Sequence, residues 1–572
     1  MTVGTCTVAE YLVDRLAQIG VHHVFAVPGD YCSPFLDALD AAAAVARVGT
    51  EGELGAGYAA DGYARYNGVG ACCVQWGVGT FSALNCVAGS YVERLPVVVI
   101  SASPTRANRR QERTRGVLFH HSTGDLGADK KVFDNVTVAS VIVRSEATAP
   151  RVIDEALQAM LTHRRPAYIE VLQDVWTKPC ARPEGALAPV PLRSDPEALE
   201  AMLDVTMVRL GHARAPVILA GVMIQRFGLQ DRLQALIDVT GIPFASTSLG
   251  KTVLDEAQPL FAGTYAGPAS PKSTDERVSV ADCVLALGAL ITDDYLDLID
   301  NQYAEMVLVT DEAARVGFEH FQGVRLGDFI DGLRCRVADD PVFPHTVLTT
   351  GQGEDAPPLP PETPMTYTTF YQELSDRLRQ ADQLGEVSLV FGESTSLYVW
   401  GNLFGLPRDG FVANAAWGSL GHETGAALGT WLASGRRPYV VAGDGGFRMV
   451  CQELASMAAQ RCPAVVFVMR NDAYAIEQAF VDINAFTECA EFAPFDVLPS
   501  LNYRALAEAF RAEPFRVATV GELRRVMEEV ERLTDRPALV EVVIPQKDLA
   551  PQLQRLADPT GTLLKPCPPN EG

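Results

Sequence analysis

The stretch Tyr439–Met449, which reads YVVAGDGGFRM, decides how the rest of the sequence is interpreted. It predicts a buried strand, a glycine-rich turn at 443–446 and a helix from Phe447 to about Gln460. Glycines at such a turn let backbone N–H groups approach a phosphate at the start of a helix. The carboxylate of Asp444 is a hard oxygen ligand, the kind that Mg²⁺ prefers beside phosphate.

A second apolar run, Ala464–Met469, is followed by polar residues in the same way. Asn471 offers an amide oxygen and Ala473 a backbone carbonyl, and neighbouring parallel strands end at the same edge of a sheet. A GDG turn alone is common in α/β proteins, and two tight turns are the alternative interpretation. GDG followed by 25 residues and then Asn, with a strand before each, is more specific. It predicts a diphosphate and metal site.

Short apolar runs alternate with longer Ala- and Leu-rich helical patterns along most of the chain. Near-continuous apolar strands separated by helices indicate parallel sheets covered on both faces, so we predict repeated α/β architecture. The predicted strands are Val24–Val27, Ala71–Gln75, Val97–Ser101, Ala167–Leu172, Val217–Ala220, Val284–Leu287, Met306–Val309, Val387–Phe391, Val440–Val441, Ala464–Met469 and Ala538–Val543.

Two proline-rich segments, Arg182–Asp195 and Asp339–Met365, have the composition of linkers. They divide the chain into three predicted domains, residues 1–181, 196–338 and 366–555. The first and third parts share a coarse βα pattern, which predicts two similar domains.

Length and composition are those of a folded, multi-domain protein, with 572 residues of which 48% are hydrophobic. The net charge of −24 argues against nucleic acid or an anionic membrane as the main partner. No run of about 20 apolar residues predicts a transmembrane helix, and the N-terminus lacks a signal-peptide pattern. We therefore expect a cytoplasmic protein. The twelve cysteines include no C-x-x-C pair, and we expect them to be reduced thiols.

Gly443-Asp444-Gly445 followed by Asn471 resembles the thiamine-diphosphate motif of the enzyme family that includes pyruvate decarboxylase, indolepyruvate decarboxylase and acetolactate synthase. The resemblance extends over essentially the whole chain. ELGAGYAADGYAR (53–65) looks like the catalytic-glutamate helix of the family, and 248–267 and 416–429 match its central and third domains in order. The resemblance implies an α/β fold of three doubly wound parallel-sheet domains, which are pyrimidine-binding, central and diphosphate-binding.

The resemblance also implies cofactors and their ligands. Glu53 matches the carboxyl group that hydrogen-bonds the cofactor aminopyrimidine, and Leu420 matches the residue that props the cofactor into a bent shape. Glu393–Ser396, at a strand end, looks like part of the turn that binds the cofactor. The alternatives are that the helix dipole alone favours Glu53 at its position, that Leu420 only packs in the core, and that residues 393–396 are a plain helix N-cap. The implied thiamine diphosphate contacts are Glu53, Thr395, Ser396, Ser419, Leu420, Gly443, Asp444, Gly445, Gly446, Asn471, Ala473, Tyr474, Ala475 and Ile476. The implied Mg²⁺ ligands are Asp444, Asn471 and Ala473.

Asp30, His120, His121 and Glu477 together resemble the set found in pyruvate and indolepyruvate decarboxylases. This implies non-oxidative decarboxylation of a 2-oxo acid to an aldehyde and CO2, through a thiamine-diphosphate ylide and an enamine. Asp30 and Glu477 would relay the proton, and the His pair would tune them and help to hold the carboxylate. A surface His pair without function is the alternative.

Trp76, Thr80 and Phe480 depart from the pattern expected for pyruvate decarboxylases. These departures leave a second function as an alternative, that of a carboligase, which joins a 2-oxo acid to an acceptor carbonyl. A non-catalytic cofactor-binding subunit is a weaker alternative, because Glu53 and Asp444 are both present. The family implies a homodimer or homotetramer with active sites at the subunit interface.

The segment Arg106–Arg115, RANRRQERTR, carries five arginines just before the His pair. Such a segment could attract an anionic, doubly charged substrate. A solvated loop or a subunit contact is the alternative.

Overall fold

The computed structural model describes residues 4–339, 357–399, 405–565 and 567. Three parallel-sheet α/β domains follow one another along the chain, as predicted. The first contains β1 (Thr5–Thr7), α1 (Val8–Gln18), β2 (His23–Ala26), α2 (Ser33–Ala41), β3 (Ala46–Gly49), α3 (Glu53–Asn67), β4 (Gly70–Cys73), α4 (Val78–Val92), β5 (Val97–Ser103), α5 (Arg106–Arg115), α6 (Ala128–Phe133), β6 (Ala139–Val143), α7 (Ala149–His163), β7 (Ala167–Leu172) and β8 (Pro179–Ala181).

The middle domain is the least regular of the three, because two antiparallel strands extend its parallel sheet. Its elements are α8 (Pro196–His212), β9 (Pro216–Ala220), α9 (Met223–Arg226), α10 (Gln230–Thr240), β10 (Phe244–Thr247), β11 (Phe261–Tyr265), α11 (Lys272–Ser279), β12 (Cys283–Leu287), α12 (Leu296–Gln302), β13 (Met306–Val309), β14 (Ala314–Val316), β15 (Glu319–His320) and α13 (Leu326–Asp339). The strand order is β11-β10-β9-β12-β13-β14-β15, with β14 and β15 antiparallel.

The third domain repeats the arrangement of the first. Its elements are α14 (Tyr367–Gln380), β16 (Val387–Phe391), α15 (Thr395–Val399), β17 (Phe411–Ala413), α16 (His422–Ser434), β18 (Arg437–Gly443), α17 (Asp444–Met449), α18 (Glu453–Ala459), β19 (Val465–Arg470), α19 (Ala475–Val481), α20 (Tyr503–Ala509), β20 (Glu513–Val517), α21 (Val520–Val530), β21 (Ala538–Val543) and α22 (Pro551–Ala557).

The six-stranded sheets of the first and third domains share one topology. Their orders are β3-β2-β4-β5-β7-β6 and β17-β16-β18-β19-β21-β20, and every pairing within them is parallel. Each sheet therefore has a switch point, between β2 and β4 in the first domain and between β16 and β18 in the third. Ligands of open α/β sheets bind in the crevice outside the strand ends at such points.

Helices α3 and α16, which occupy equivalent places in the two domains, pack directly on each other. A Cβ atom on Gly429 would collide with the carbonyl oxygen of Ala59, and one on Gly62 with that of Ala426. Only glycine permits this close approach of two backbones. The crossing joins the first domain to the third and carries Glu53 at the start of α3.

A buried ion network lies beside this crossing. The guanidinium of Arg65 donates to Asp61 Oδ1 at 2.7 Å and to Glu93 Oε2 at 2.6 Å. His422 Nε2 lies 2.7 Å from the same Asp61 oxygen. Burial alone would raise the pKa of Asp61, but Arg65 and His422 hold it well below its ordinary value. The network thus ties α3 to the start of α16.

Three sequence expectations are wrong in detail. The glycine-rich turn predicted at 443–446 is absent, since β18 ends at Gly443 and α17 begins at Asp444. The helix predicted from Phe447 to about Gln460 is broken into α17 and α18, because Val450 leaves helical geometry with φ −144° and ψ 30°. Cys489 and Cys567 form a disulfide, whereas all twelve cysteines were expected to be reduced. Among the described residues, no helix has the length and apolar character needed to cross a bilayer.

Candidate active site

The crevice at the switch point of the first domain holds Asp30 and Gln75. Asp30 follows β2 and is exposed, while Gln75 follows β4 and is buried. Gln75 Nε2 donates to Asp30 Oδ1 at 2.6 Å. The amide therefore holds the carboxylate of Asp30 in place at the open edge of the sheet.

The His pair lies against the same crevice. The hydroxyl of Tyr31 donates to the carbonyl oxygen of His120 at 3.3 Å, and its ring meets the His121 ring edge-on at 6.2 Å. His121 has a left-handed φ of 68°, and its carbonyl presses against the position of a Cβ on Gly77, whose φ is 71°. The positive φ of Gly77 and the close approach of the His121 carbonyl both favour glycine at residue 77. The structure thus brings Asp30, His120 and His121 together.

Glu53 begins α3, is half-buried, and lies beside the first turn of α4. A Cβ on Gly79 would be 3.4 Å from Glu53 Cγ and 3.3 Å from Gln75 Cβ. Just before Glu53, the backbone N–H of Glu51 donates to Ser456 Oγ in α18 at 3.1 Å. The third domain therefore holds the start of the helix that carries Glu53.

The predicted metal ligands meet at the ends of β18 and β19, which pair so that Gly443 lies opposite Met469. Asp444 Oδ2 accepts from the backbone N–H of Asp472 at 2.7 Å, and Asn471 Oδ1 accepts from that of Ala473 at 3.2 Å. Asp444 is only 1% exposed, and burial raises the pKa of its carboxyl to about 6. It forms no ion pair within the described part of the chain.

The remaining predicted cofactor contacts surround this edge. Thr395 and Ser396 are buried at the start of α15, at the end of β16. Ser419 Oγ lies 2.5 Å from the Tyr58 hydroxyl and 2.8 Å from Asn85 Nδ2, so the first domain holds the loop that carries Leu420. A Cβ on Gly446 would be 3.9 Å from Leu420 Cβ. Of the other contacts, Gly443 is the last residue of β18 and Gly445 is in the first turn of α17. Tyr474, Ala475 and Ile476 lie just before α19 and in its first turn.

Glu477 is the one predicted catalytic residue that stands apart. It is exposed in the first turn of α19, in the third domain. No hydrogen bond or ion pair joins it to Asp30, Glu53 or the His pair in residues 4–339, 357–399 and 405–565 of the chain. The two halves of the predicted site therefore belong to different domains.

Sequence reasoning missed Gln75, Tyr31 and Asn85. Gln75 had a usable signal, because it ends a predicted strand at the edge where Asp30 follows another. Tyr31 and Asn85 carry no local pattern that separates a positioning contact from a packing one. No group of three or more His, Cys, Asp or Glu side chains within the described residues could hold a metal ion. The predicted metal site includes only one such side chain, the carboxylate of Asp444; its other two ligands are an amide oxygen and a backbone carbonyl.

Comparison with known proteins covers all three domains. Residues 6–125 match the family model of the thiamine pyrophosphate enzyme N-terminal TPP binding domain, 204–321 the central domain and 394–542 the C-terminal TPP binding domain. An alpha-keto-acid decarboxylase of Mycolicibacterium paratuberculosis is 33% identical over 97% of this chain and 96% of its own length. The chain belongs to the thiamine pyrophosphate enzyme family. Enzymes of the same printed name from Mycobacterium leprae (33% identical, 97% of this chain and 95% of that one) and Mycobacterium tuberculosis (31%, 96% of each) match it as well.

The third-domain edge has the chemistry that a thiamine pyrophosphate enzyme needs. Asp444 is a buried carboxylate whose only described hydrogen bond comes from one backbone N–H. A buried carboxylate without a cationic partner is costly unless an ion or a proton joins it. The site residues thus fit the cofactor of this family.

Proposed function

We propose that this chain decarboxylates a 2-oxo acid to an aldehyde and CO2. The observation that carries the proposal is the grouping of Asp30, His120 and His121 in one crevice, beside the first turn of α4, which adjoins Glu53. Relatives named alpha-keto-acid decarboxylase, matched over nearly their whole length, support the same reaction.

The residues divide the work by position. When bound, thiamine diphosphate supplies the nucleophilic carbon and accepts the electron pair that CO2 leaves behind. Glu53 holds a proton at the pyrimidine end of the cofactor. Asp30, held by Gln75, and Glu477 exchange the proton that completes the aldehyde, and the His pair helps to hold the substrate carboxylate.

Mg²⁺ is the metal we propose for Asp444, Asn471 and Ala473. A carboxylate, an amide oxygen and a backbone carbonyl are hard ligands, and they lie where a diphosphate would share the ion. The proposed cation would offset the negative charge that burial makes unfavourable at Asp444.

We propose a homodimer or homotetramer in the cytoplasm, with the first domain of one subunit facing the third domain of another. Apolar side chains are exposed on both proposed faces. Val78 is 53% and Phe81 37% exposed at the start of α4, and Met449 is 48% exposed at the end of α17. A partner subunit would cover these side chains. The partner subunit's Glu477 would then join Asp30 and the His pair of the first subunit.

The carboligase is not favoured over this reaction. Of the three departures that kept it open, Trp76 and Thr80 are buried, whereas Phe480 is 53% exposed on α19. Thr80 Oγ1 donates to Asp129 Oδ2 at 2.5 Å. Trp76 and Thr80 thus belong to the interior of the first domain and do not shape an acceptor pocket.

The test is product analysis by mass spectrometry. The protein, with Mg²⁺ and thiamine diphosphate, is incubated with a panel of 2-oxo acids, each with and without benzaldehyde as acceptor. We expect free aldehyde as the main product, and none after EDTA removes the metal. Ligated product as the main species without free aldehyde would replace the decarboxylase with the carboligase.

Glu477→Gln is expected to slow aldehyde release and to raise the share of ligated product. The amide cannot exchange the proton, and loss of one general acid or base costs about 10²–10⁴-fold in rate. The measurement is the rate of free aldehyde and its ratio to acyloin with benzaldehyde present. Glu528→Gln, an exposed carboxyl on α21, is the matched control. An unchanged rate and ratio in Glu477→Gln would remove that residue from the mechanism.

A further inference from the structure

Helix α5 presents a cationic surface at the approach to the proposed catalytic crevice. Resting on the proposed function, we infer that Arg110, Arg113 and Arg115 select 2-oxo acids that carry a second anionic group. The inference deepens the function by naming its substrate class, and it rests on three observations.

The first observation is that three of the five α5 arginines have no acidic partner. Arg106 pairs with Asp174 at 2.9 Å, and Arg109 is buried against Glu170 at 2.8 Å. The other three, Arg110, Arg113 and Arg115, are exposed and form no side-chain hydrogen bond or ion pair with the rest of the described chain. Their guanidinium groups are therefore open to a ligand.

The second observation is that this surface opposes the charge of the whole chain. The protein has 71 acidic and 47 basic residues, so most arginines have acids to pair with. Helix α5 instead carries five arginines and one glutamate. Burial lowers the pKa of Arg144, just after β6; Arg109 and Arg113 also lower it, and Glu170 opposes them. A positive local field raises the concentration of anions at the crevice.

The third observation is that α5 leads directly to the His pair. Glu112 accepts a hydrogen bond from Ser122, the residue after His121. Burial raises the pKa of Tyr31, and Asp30 and Glu112 add to the rise, so Glu112 lies near the Asp30 turn. Arg115 is three residues beyond Glu112, on the same helix face, and α5 ends there, at Gly116.

A second anionic group gives these arginines a role throughout the reaction. The carboxylate next to the ketone is lost as CO2, whereas a distal carboxylate, sulfonate or phosphonate keeps its charge. A guanidinium binds such a group through two parallel N–H bonds, which Lys cannot match. We therefore expect the distal group, rather than an apolar side chain, to set substrate preference.

The experiment compares two substrates of nearly equal shape. In 5-methyl-2-oxohexanoate an isopropyl group replaces the distal carboxylate of 2-oxoglutarate. The holoenzyme, loaded with Mg²⁺ and thiamine diphosphate, is assayed with both, and with 3-sulfopyruvate and 3-phosphonopyruvate to compare anionic groups. We expect kcat/KM for at least one dianion to exceed that of the isopropyl compound by roughly tenfold at low salt, and the ratio to fall as salt rises.

The triple variant Arg110→Gln, Arg113→Gln, Arg115→Gln is expected to bring that ratio to about one, mainly through KM. Arg214→Gln, an exposed arginine in the middle domain that has no described side-chain partner, is the matched control and should leave the ratio unchanged. A ratio near one in the wild-type protein, or an undiminished ratio in the triple variant, would overturn this inference while the proposed function stands. Turnover of none of the 2-oxo acids would overturn the function itself.

Discussion

Glu53→Gln is expected to remove nearly all decarboxylation, by at least about a hundredfold, while the protein stays folded. A glutamine can accept a hydrogen bond but cannot hold and return a proton, which is the role proposed for this carboxyl. The side chain is half-buried at the first position of α3 and has no salt bridge within the described residues, so the fold does not depend on its charge. The measurement is kcat at saturating thiamine diphosphate, with circular dichroism to check folding.

Glu51→Gln is the matched control. Glu51 is two residues earlier and exposed, and it contacts α18 through its backbone N–H, which the substitution keeps. We expect its kcat to stay within about twofold of wild type, because surface substitutions away from special features change little. Near-normal turnover in Glu53→Gln would refute the proposed role of that carboxyl. Loss of activity in both variants would point to the position of α3 instead of its glutamate.

The interior strands of the first and third sheets could be predicted from the sequence, and their edge strands could not, whereas the middle sheet also has two interior strands that were missed, β10 and β14. In the two six-stranded sheets every predicted strand is an interior one, and the four missed strands, β3, β6, β17 and β20, are all edges; the short pair β1 and β8 was missed as well. An interior parallel strand is covered on both faces and reads as one apolar run. An edge strand is partly exposed or short, as in ARVG at β3, so the run that marks a strand is missing.

The candidate site divides in the same way. The GDG motif and Asn471 could be found because their chemistry is local to two strand ends. The role of Gln75 depends on a neighbour 45 positions away, and the contact of His422 with Asp61 spans 361 positions. No spacing in the sequence encodes such pairs. The break between α17 and α18 could not be predicted either, because no proline or left-handed glycine marks it in the sequence.

Arg65→Met is expected to destabilise the protein strongly, because it leaves two carboxylates buried without their cation. Asp61 is 1% exposed and Glu93 is fully buried. Removal of one partner from a buried ion pair costs about 3–5 kcal/mol. At roughly 2–4 °C for each kcal/mol in domains of this size, the melting temperature should fall by roughly 6–20 °C.

Arg47→Met is the matched control, since Arg47 pairs with Asp40 on the surface at 2.7 Å. An exposed pair contributes about 0–1 kcal/mol, so its melting temperature should stay near that of wild type. The buried network also reaches the cofactor loop, because Glu93 Oε1 accepts from the backbone N–H of Ala416 at 2.9 Å. Arg65→Met should therefore weaken thiamine diphosphate binding below its melting temperature. A melting temperature equal to that of Arg47→Met would mean that the carboxylates take up protons or water at little cost, and that the network does not hold the two domains together.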